Sequence, residues 1–272
     1  MGHRGCRWFP NIPENSLPSF KFAIENGAPA FELDCRLTAD GHIVVFHDDA
    51  VHRLLVNADG TPAKGWVSDM TLKELQQLRY KDHSNTSETV PLLRDVLLLA
   101  KKNNTKVFVE LKSLYISDAK PLAAAVAKLF NELNAHEFAC IIAFNPLVVY
   151  WVRALAPRIE TCILFSDDFY TYSVRNRLEK VSTVVDMLHV PMDWLLRLAC
   201  IYVVPYITGC TMIGPDAKIV SQKEVKSYME RGLSVYVWVT NVQCEMDLFI
   251  NLGCSAGTDK LFPTLSTSTA AQ

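Results

Sequence analysis

The sequence predicts an α/β chain of the TIM (β/α)8 barrel class, with a small loop or hairpin insertion after the second strand, and three observations lead there. Short apolar runs alternate with amphipathic segments along most of the chain, the mark of repeated strand and helix units whose strands pair in parallel. With 272 residues and 50% hydrophobic content the chain can bury one such barrel. No Gly/Ser linker or Pro-rich tract divides it, so residues 1–272 are expected to form a single domain. Periodicity by itself fits a doubly wound sheet equally well, and position decides between the two. His3-Arg4, Glu32 with Asp34, His47, and Glu110 with Lys112 stand at separate strand ends, as on the carboxyl face of a barrel, whereas a switch-point crevice would gather them on fewer strands.

Taken in order, Ser16 is placed to cap a helix through Leu17-Pro18, with Phe20, Ala23 and Ile24 on one face and Gly27 as its stop. Phe31 to Cys35 alternates as a strand, Ala39-Asp40-Gly41 turns the chain, and His42 to Phe46 returns in hairpin fashion to end at His47-Asp48. Asp49 to Val90 reads mostly as loop, interrupted by a capping box at Thr71-Leu72-Lys73-Glu74. The units then repeat: helix Leu93 to Lys102, strand Lys106 to Lys112, helix Asp118 to Leu133 with Pro121 in its first turn, and strand Phe138 to Ala143. Helix Pro146 to Ala156, strand Glu160 to Phe165, helix Ser221 to Arg231, strand Leu233 to Val239 and helix Gln243 to Leu252 continue the pattern. The tail from Thr264 to Gln272 is compositionally loose and expected to fray.

A formal net charge of −2 and a pI near 6.4 argue against a nucleic-acid partner, which requires a basic stripe able to displace counterions. The eight cysteines include no CxxC pair, and Cys35, Cys140 and Cys162 fall in strands beside aliphatic residues, so most are expected to be small buried hydrophobes. Asn85-Thr86-Ser87 and Asn103-Asn104-Thr105 fit the N-glycosylation pattern, which is permissive enough to leave the compartment open. Met1 stands directly before Gly2-His3-Arg4-Gly5, with no room for a signal peptide and almost none for the strand that should carry these residues. The chain is therefore expected to be a trimmed domain.

Residues two apart on a strand share a face, so Glu32 and Asp34 project together, as do Glu110 and Lys112. Three carboxylates turned inward from an apolar sheet repel one another and lose hydration unless a cation neutralises them. An all-oxygen set suits Mg²⁺ or Ca²⁺ and disfavours zinc. The competing reading makes these carboxylates strand-end ion pairs with Lys112 or Arg4. His3 and His47 each stand beside a second polar residue at a strand end, which makes them candidates for proton transfer near neutrality. A histidine taken singly in a loop is more often a surface or packed residue, which is how His42, His52, His83, His136 and His189 read.

Gly2-His3-Arg4-Gly5, Pro13-Glu14-Asn15, Glu32-Leu33-Asp34, Asp40-Gly41, His47-Asp48, Glu110-Leu111-Lys112 and Trp238-Val239-Thr240-Asn241 resemble, in that order, the signature of the glycerophosphodiester phosphodiesterase family. The likeness spans nearly the whole chain. It implies Glu32, Asp34 and Glu110 as ligands of one divalent cation, and His3 and His47 as general acid and base. Arg4 and Lys112 would hold phosphate, with Asn15 and Trp238 completing the substrate-binding set. The mechanism it implies is attack of a neighbouring substrate hydroxyl on phosphorus, giving a cyclic phosphate that water reopens. Two departures stand out: the family's usual Trp-Thr-Val-Asn order is changed at 238–241, and Thr258-Asp259 is followed by Lys260-Leu261-Phe262-Pro263 with no closely spaced proline. Met192-Asp193-Trp194-Leu195 and Gly257-Thr258-Asp259 are similar to the membrane-associated branch that acts on glycerophosphoinositol and on lysophospholipids, with lysophospholipase D activity. A related barrel phospholipase D that releases the cyclic phosphate is the enzymatic alternative. A catalytically inactive lipid-binding barrel would require a broken triad or a lost histidine, and the sequence has neither.

The run between Arg197 and Asp216 carries no charge and is borderline in length for spanning a bilayer, but Pro205, Gly209 and Gly214 break it. The first expectation is a buried helix joined to a barrel strand. The second is an interfacial surface that docks on lipid or accepts an acyl chain, with Trp194 and Tyr202 as anchors.

Overall fold

A computed structural model describes residues 1–81, 88–113, 116–167 and 192–260. The Ser16 side chain accepts from the Ser19 amide to open α1 (Leu17–Glu25), and Pro18 sits in the first turn, where its missing N–H has no helical partner to lose. Gly27, at φ 76°, takes the left-handed turn that ends it. The chain then enters β1 (Ala30–Leu37) and doubles back as β2 (Ile43–Val45), paired antiparallel with Cys35 opposite Val45.

From here β5 (Lys106–Leu111), β6 (Ala139–Ala143), β7 (Thr161–Phe165), β8 (Met212–Pro215), β9 (Ser234–Val237) and β10 (Ser255–Ala256) add in parallel. The sheet order is β10-β9-β8-β7-β6-β5-β1-β2, a TIM-barrel-like α/β arrangement. Residues 1–3 lie between its first and last parallel strands. Gly2 pairs in parallel with Phe31 on one side and Thr258 on the other, through Gly2 N to Ala30 O at 3.1 Å and Thr258 N to Met1 O at 3.0 Å. The short N-terminal segment thus holds His3 and Arg4 at the ring by backbone bonds.

Helices α3 (Leu93–Lys102), α4 (Ile116–Leu133), α5 (Pro146–Leu155), α8 (Gln222–Glu230) and α9 (Gln243–Asn251) follow their strands, and capping residues Asn145 and Ser221 open α5 and α8. Phe20, Val96, Leu97, Val126, Phe130 and Val152 bury on the outward faces of the sheet in the main core. Six of the eight cysteines are buried, Cys200 is partly so, Cys244 is exposed, and all eight are free.

Three expectations need correction. Pro121 lies inside α4, not in its first turn, because the helix is already formed at Ile116. The segment from Asp49 to Val90 is more than loop. Among its described residues are 3₁₀ turns at Val51–Arg53 and Val67–Asp69, the pair β3 (Leu55–Val56) and β4 (Arg79–Tyr80), and α2 (Leu72–Leu75) behind the expected capping box at Thr71. Phe46, Val51, Leu55, Val67, Leu75 and Tyr80 form a separate small core there. Its apolar residues are aperiodic and meet only when the chain closes on itself, so no local pattern announced them. Finally, the uncharged run is not buried as a whole. Helix α6, described over 192–198, passes through a π-helical stretch (Ala199–Val203) and α7 (Val204–Thr208) into β8. Ile201, Pro205 and Thr208 are buried, while Tyr202, Val203, Tyr206 and Ile207 face outward. None of the described helices is long and apolar enough to cross a membrane. Asn85 to Ser87, His83, His189 and the tail Thr264 to Gln272 lie outside the described residues.

Candidate active site

Asp34 on β1 is in register with Glu110 on β5. The two-residue repeat of a strand therefore stacks Ala30, Glu32 and Asp34 beside Phe108, Glu110 and Lys112 on the inner face, while Phe31, Leu33, Val107 and Val109 go to the helix-facing core. Ala30 and Phe108 join Cys140, Leu164, Met212 and Tyr236 in an apolar floor. Above that floor the carboxylates of Glu32, Asp34 and Glu110, all buried, lie within 4.8 Å of one another.

The ion-pair alternative is realised only in part. Lys112 Nζ contacts Glu110 and lies 3.1 Å from Asp34 Oδ1, and Arg4 Nε lies 3.4 Å from Asp34 Oδ2. Glu32 receives one hydrogen bond, from the Arg4 amide at 2.8 Å, and its Oε1 is buried with no donor. Burial first, then the charges of Asp34 and Glu110, push Glu32 well above the usual carboxylate range. Glu110 is also raised by burial, against the pull of Lys112. Burial alone would raise Asp34 too, but Lys112, His47 and Arg4 together hold it well below its ordinary value. An all-oxygen cluster with an unmatched buried oxygen and one carboxyl that resists ionising could hold a divalent cation.

Two imidazoles flank this cluster. His3 Nδ1 lies 2.6 Å from Asp259 Oδ1, and His47 Nδ1 lies 2.7 Å from Asp48 Oδ1. An ionised carboxylate can only accept, so each neutral ring carries its proton on Nδ1 and keeps the Nε2 lone pair. Burial lowers His3 despite the Asp259 hydrogen bond. Burial, reinforced by the Lys112 charge, brings His47 down to about 4. Asp259 is opposed by burial but held at about 2 by the His3 and Asn241 hydrogen bonds.

The remaining expected residues are close by, though several are already engaged. Arg4, at φ 51°, follows His3 into a tight loop where a Cβ on Gly5 would meet Ser19 Oγ at 2.2 Å. Its guanidinium binds Glu14 Oε1 at 2.8 Å. Asn15 gives its amide N–H to Asp34 Oδ2 at 2.8 Å and accepts from the Asp34 amide at 3.2 Å, so both polar atoms set a carboxylate. Trp238 donates from Nε1 to Gly214 O at 2.8 Å and meets Phe144 edge-on at 5.2 Å, which leaves its ring as an apolar wall. Despite the altered order at 238–241, Asn241 binds Asp259 at 2.9 Å and accepts from its amide at 2.8 Å.

A model of the family described as "Glycerophosphoryl diester phosphodiesterase family" matches residues 3–259, from the first site histidine to the aspartate that holds it. The chain belongs to that family of enzymes. The glycerophosphodiester phosphodiesterase of Caldanaerobacter subterraneus subsp. tengcongensis is 34% identical over 61% of this chain and 65% of its own length, so the match spans just under two thirds of that relative. Glycerophosphodiester phosphodiesterase 1 of Bos taurus is 25% identical over 96% of this chain and 77% of its own length. In fold, an Oleispira antarctica phosphodiesterase solved in complex with the product sn-glycerol-3-phosphate superposes with a TM-score of 0.71 at 22% identity, covering 95% of this chain and 91% of that one.

In this member of the glycerophosphoryl diester phosphodiesterase family, sequence reasoning did not assign the residues behind the histidines. Asp48 is adjacent to His47 and could have been paired with it by proximity. Asp259 is 256 positions from His3, and only closure of the ring brings the two together.

Proposed function

We propose that this chain hydrolyses glycerophosphodiesters of the glycerophosphoinositol or lysophospholipid type, the latter as a lysophospholipase D, with Mg²⁺ or Ca²⁺ held by Glu32, Asp34 and Glu110. One observation carries the reading: three buried carboxylates, with Glu32 Oε1 unmatched, lie between two imidazoles whose Nδ1 atoms are each fixed by an aspartate. Once bound, the cation would offset charge developing on the phosphoryl oxygens.

The chain's own groups supply the rest. The Nε2 of one imidazole takes the proton of a substrate hydroxyl next to the ester as that oxygen bonds to phosphorus. The other imidazole, protonated beside the anionic diester, gives its proton to the leaving oxygen as the ester bond breaks. Water then opens the cyclic phosphate, with the two rings exchanging roles. Arg4 and Lys112 stand where they can hold phosphate oxygens, and Trp238 offers an apolar wall to the substrate. Asn15, in this reading, serves the substrate site by setting Asp34.

The same reading takes residues 1–272 as one domain, the segment between β2 and α3 as an insertion on the barrel, and the chain as membrane-associated. The support for membrane contact is the outward face of Trp194, Tyr202, Tyr206 and Ile207 on an uncharged stretch.

The test is turnover of glycerophosphoinositol, glycerophosphocholine and a lysophospholipid side by side, with Mg²⁺, with Ca²⁺ and with EDTA, followed by phosphorus NMR. Expected are a monoester product, loss of turnover in EDTA, and a fall of about 100-fold or more in His47→Ala with an unchanged circular dichroism spectrum. A cyclic phosphate that persists, or turnover that survives chelation, overturns the reading.

A further inference from the structure

Glu14, buried beneath the rim, binds three guanidinium groups. Arg4 Nη1 lies 2.8 Å from its Oε1, Arg53 Nη2 lies 2.6 Å from the same oxygen, and Arg7 Nε lies 3.2 Å from Oε2. Arg53, in the 3₁₀ turn after His47-Asp48, also grips Asp48 by both oxygens, with Nη2 at 3.0 Å from Oδ1 and Nε on Oδ2. Asp48 Oδ1 in turn accepts from His47 Nδ1. From one side of the site to the other the links run His47, Asp48, Arg53, Glu14, Arg4, with the charge alternating in sign from Asp48 onward.

A lone carboxylate behind an imidazole can rotate and let the ring swing. A guanidinium fork that fills both oxygens fixes the carboxylate's plane, and with it the direction in which Nε2 points. The backbone is restrained as well, since Arg36 donates to His47 O at 3.0 and 2.7 Å. Arg53 is the group that joins this fixed ring to Glu14, and Glu14 holds the arginine proposed for phosphate.

We infer that Arg53 is a positioning residue, which through Asp48 and Glu14 registers the His47 imidazole against the Arg4 guanidinium. The inference rests on the reading that His47 moves a proton during diester cleavage. It identifies a residue outside every motif that carries the family resemblance.

The experiment measures glycerophosphoinositol turnover with Mg²⁺ for the wild type, R53Q, R53K, E14Q and the R53Q/E14Q double variant. R53Q is expected to lose about tenfold or more in kcat with KM held within about twofold, because misplacement of a catalytic group slows chemistry more than binding. R53K should lose severalfold, since an ammonium cannot fill both oxygens of Asp48 while reaching Glu14. The double variant should fall well short of the product of the two single losses, as expected of links in one chain. An unchanged kcat in R53Q overturns the inference, as does a rise in KM alone, which would make Arg53 a substrate contact. Multiplicative losses overturn the link through Glu14. If R53Q does not fold, full activity in R53K overturns the inference by itself. An inactive wild type would instead remove the hydrolase reading, so the two failures are distinct.

Discussion

His47 shows how one side chain ties the site to the stability of the chain. Its proton affinity is lowered by burial and by Lys112, from an ordinary value near 6.5 to about 4. Between those two values the unfolded chain binds a proton that the folded chain refuses, so the contribution of His47 to stability falls as pH drops through that window and is intact above it. At roughly 1.4 kcal/mol for each tenfold change in proton affinity, the loss is about 3 kcal/mol at most. Raised carboxyls such as Glu32 act in the opposite direction, so the measurement compares the wild type with His47→Gln. The melting temperature of the wild type should drop relative to the variant as pH is lowered from 6.5 to 4. A constant difference across that range would show that the imidazole is not shielded.

Among the elements, α6 and α7 depart most from what a barrel requires. A helix covering a barrel strand buries one stripe and shows polar residues outward. Here the outward side carries Tyr206 at 90% exposure, Ile207 at 65%, Tyr202 at 61% and Trp194 at 60%. Arg231 lies 5.0 Å below the Tyr202 ring and holds that aromatic on the surface. The expected outcome is that Tyr206→Asp with Ile207→Asp lowers co-sedimentation with phospholipid vesicles about tenfold or more, since each residue removes apolar area from the bilayer and adds a charge. Turnover of a water-soluble glycerophosphodiester should remain within about twofold. Equal vesicle binding by variant and wild type would rule out this face as the contact.

For the whole molecule, the acidic cluster is the place at the centre of the fold where a bound cation would act on stability. Glu32, Asp34 and Glu110 stand on adjacent strands of the ring, buried at 1%, 1% and 7% exposure, so a cation held among them would tie β1 to β5. A cation that binds only the folded chain stabilises it by about 2.7 kcal/mol at a hundred times its dissociation constant. For a chain of this size that corresponds to a rise of about 5 °C in melting temperature. Mg²⁺ or Ca²⁺ should produce such a rise in the wild type, measured by scanning fluorimetry, and Asp34→Asn should lose most of it. A wild type that melts at the same temperature with cation and with EDTA would argue against a resident metal.

Much of this could be read locally. Alternation along Phe31 to Cys35 and Lys106 to Lys112 dictates which side chains face inward, so Glu32, Asp34, Glu110 and Lys112 were legible as one set, and Ser16, Thr71 and Ser221 marked their helix starts. Those features depend on periods of two and 3.6 residues and on groups within one turn of each other. What the three-dimensional fold decided are contacts between residues far apart in the chain. Asp259 reaches His3 only because Gly2 bridges the first and last strands, and Arg53 reaches Glu14, 39 positions away, only because the turn after His47-Asp48 folds against the N-terminal loop that carries Arg4, Arg7 and Glu14. The uncharged run likewise turns Tyr206 outward for a reason no helical period contains: its burial is set by which neighbours the closed sheet places against it.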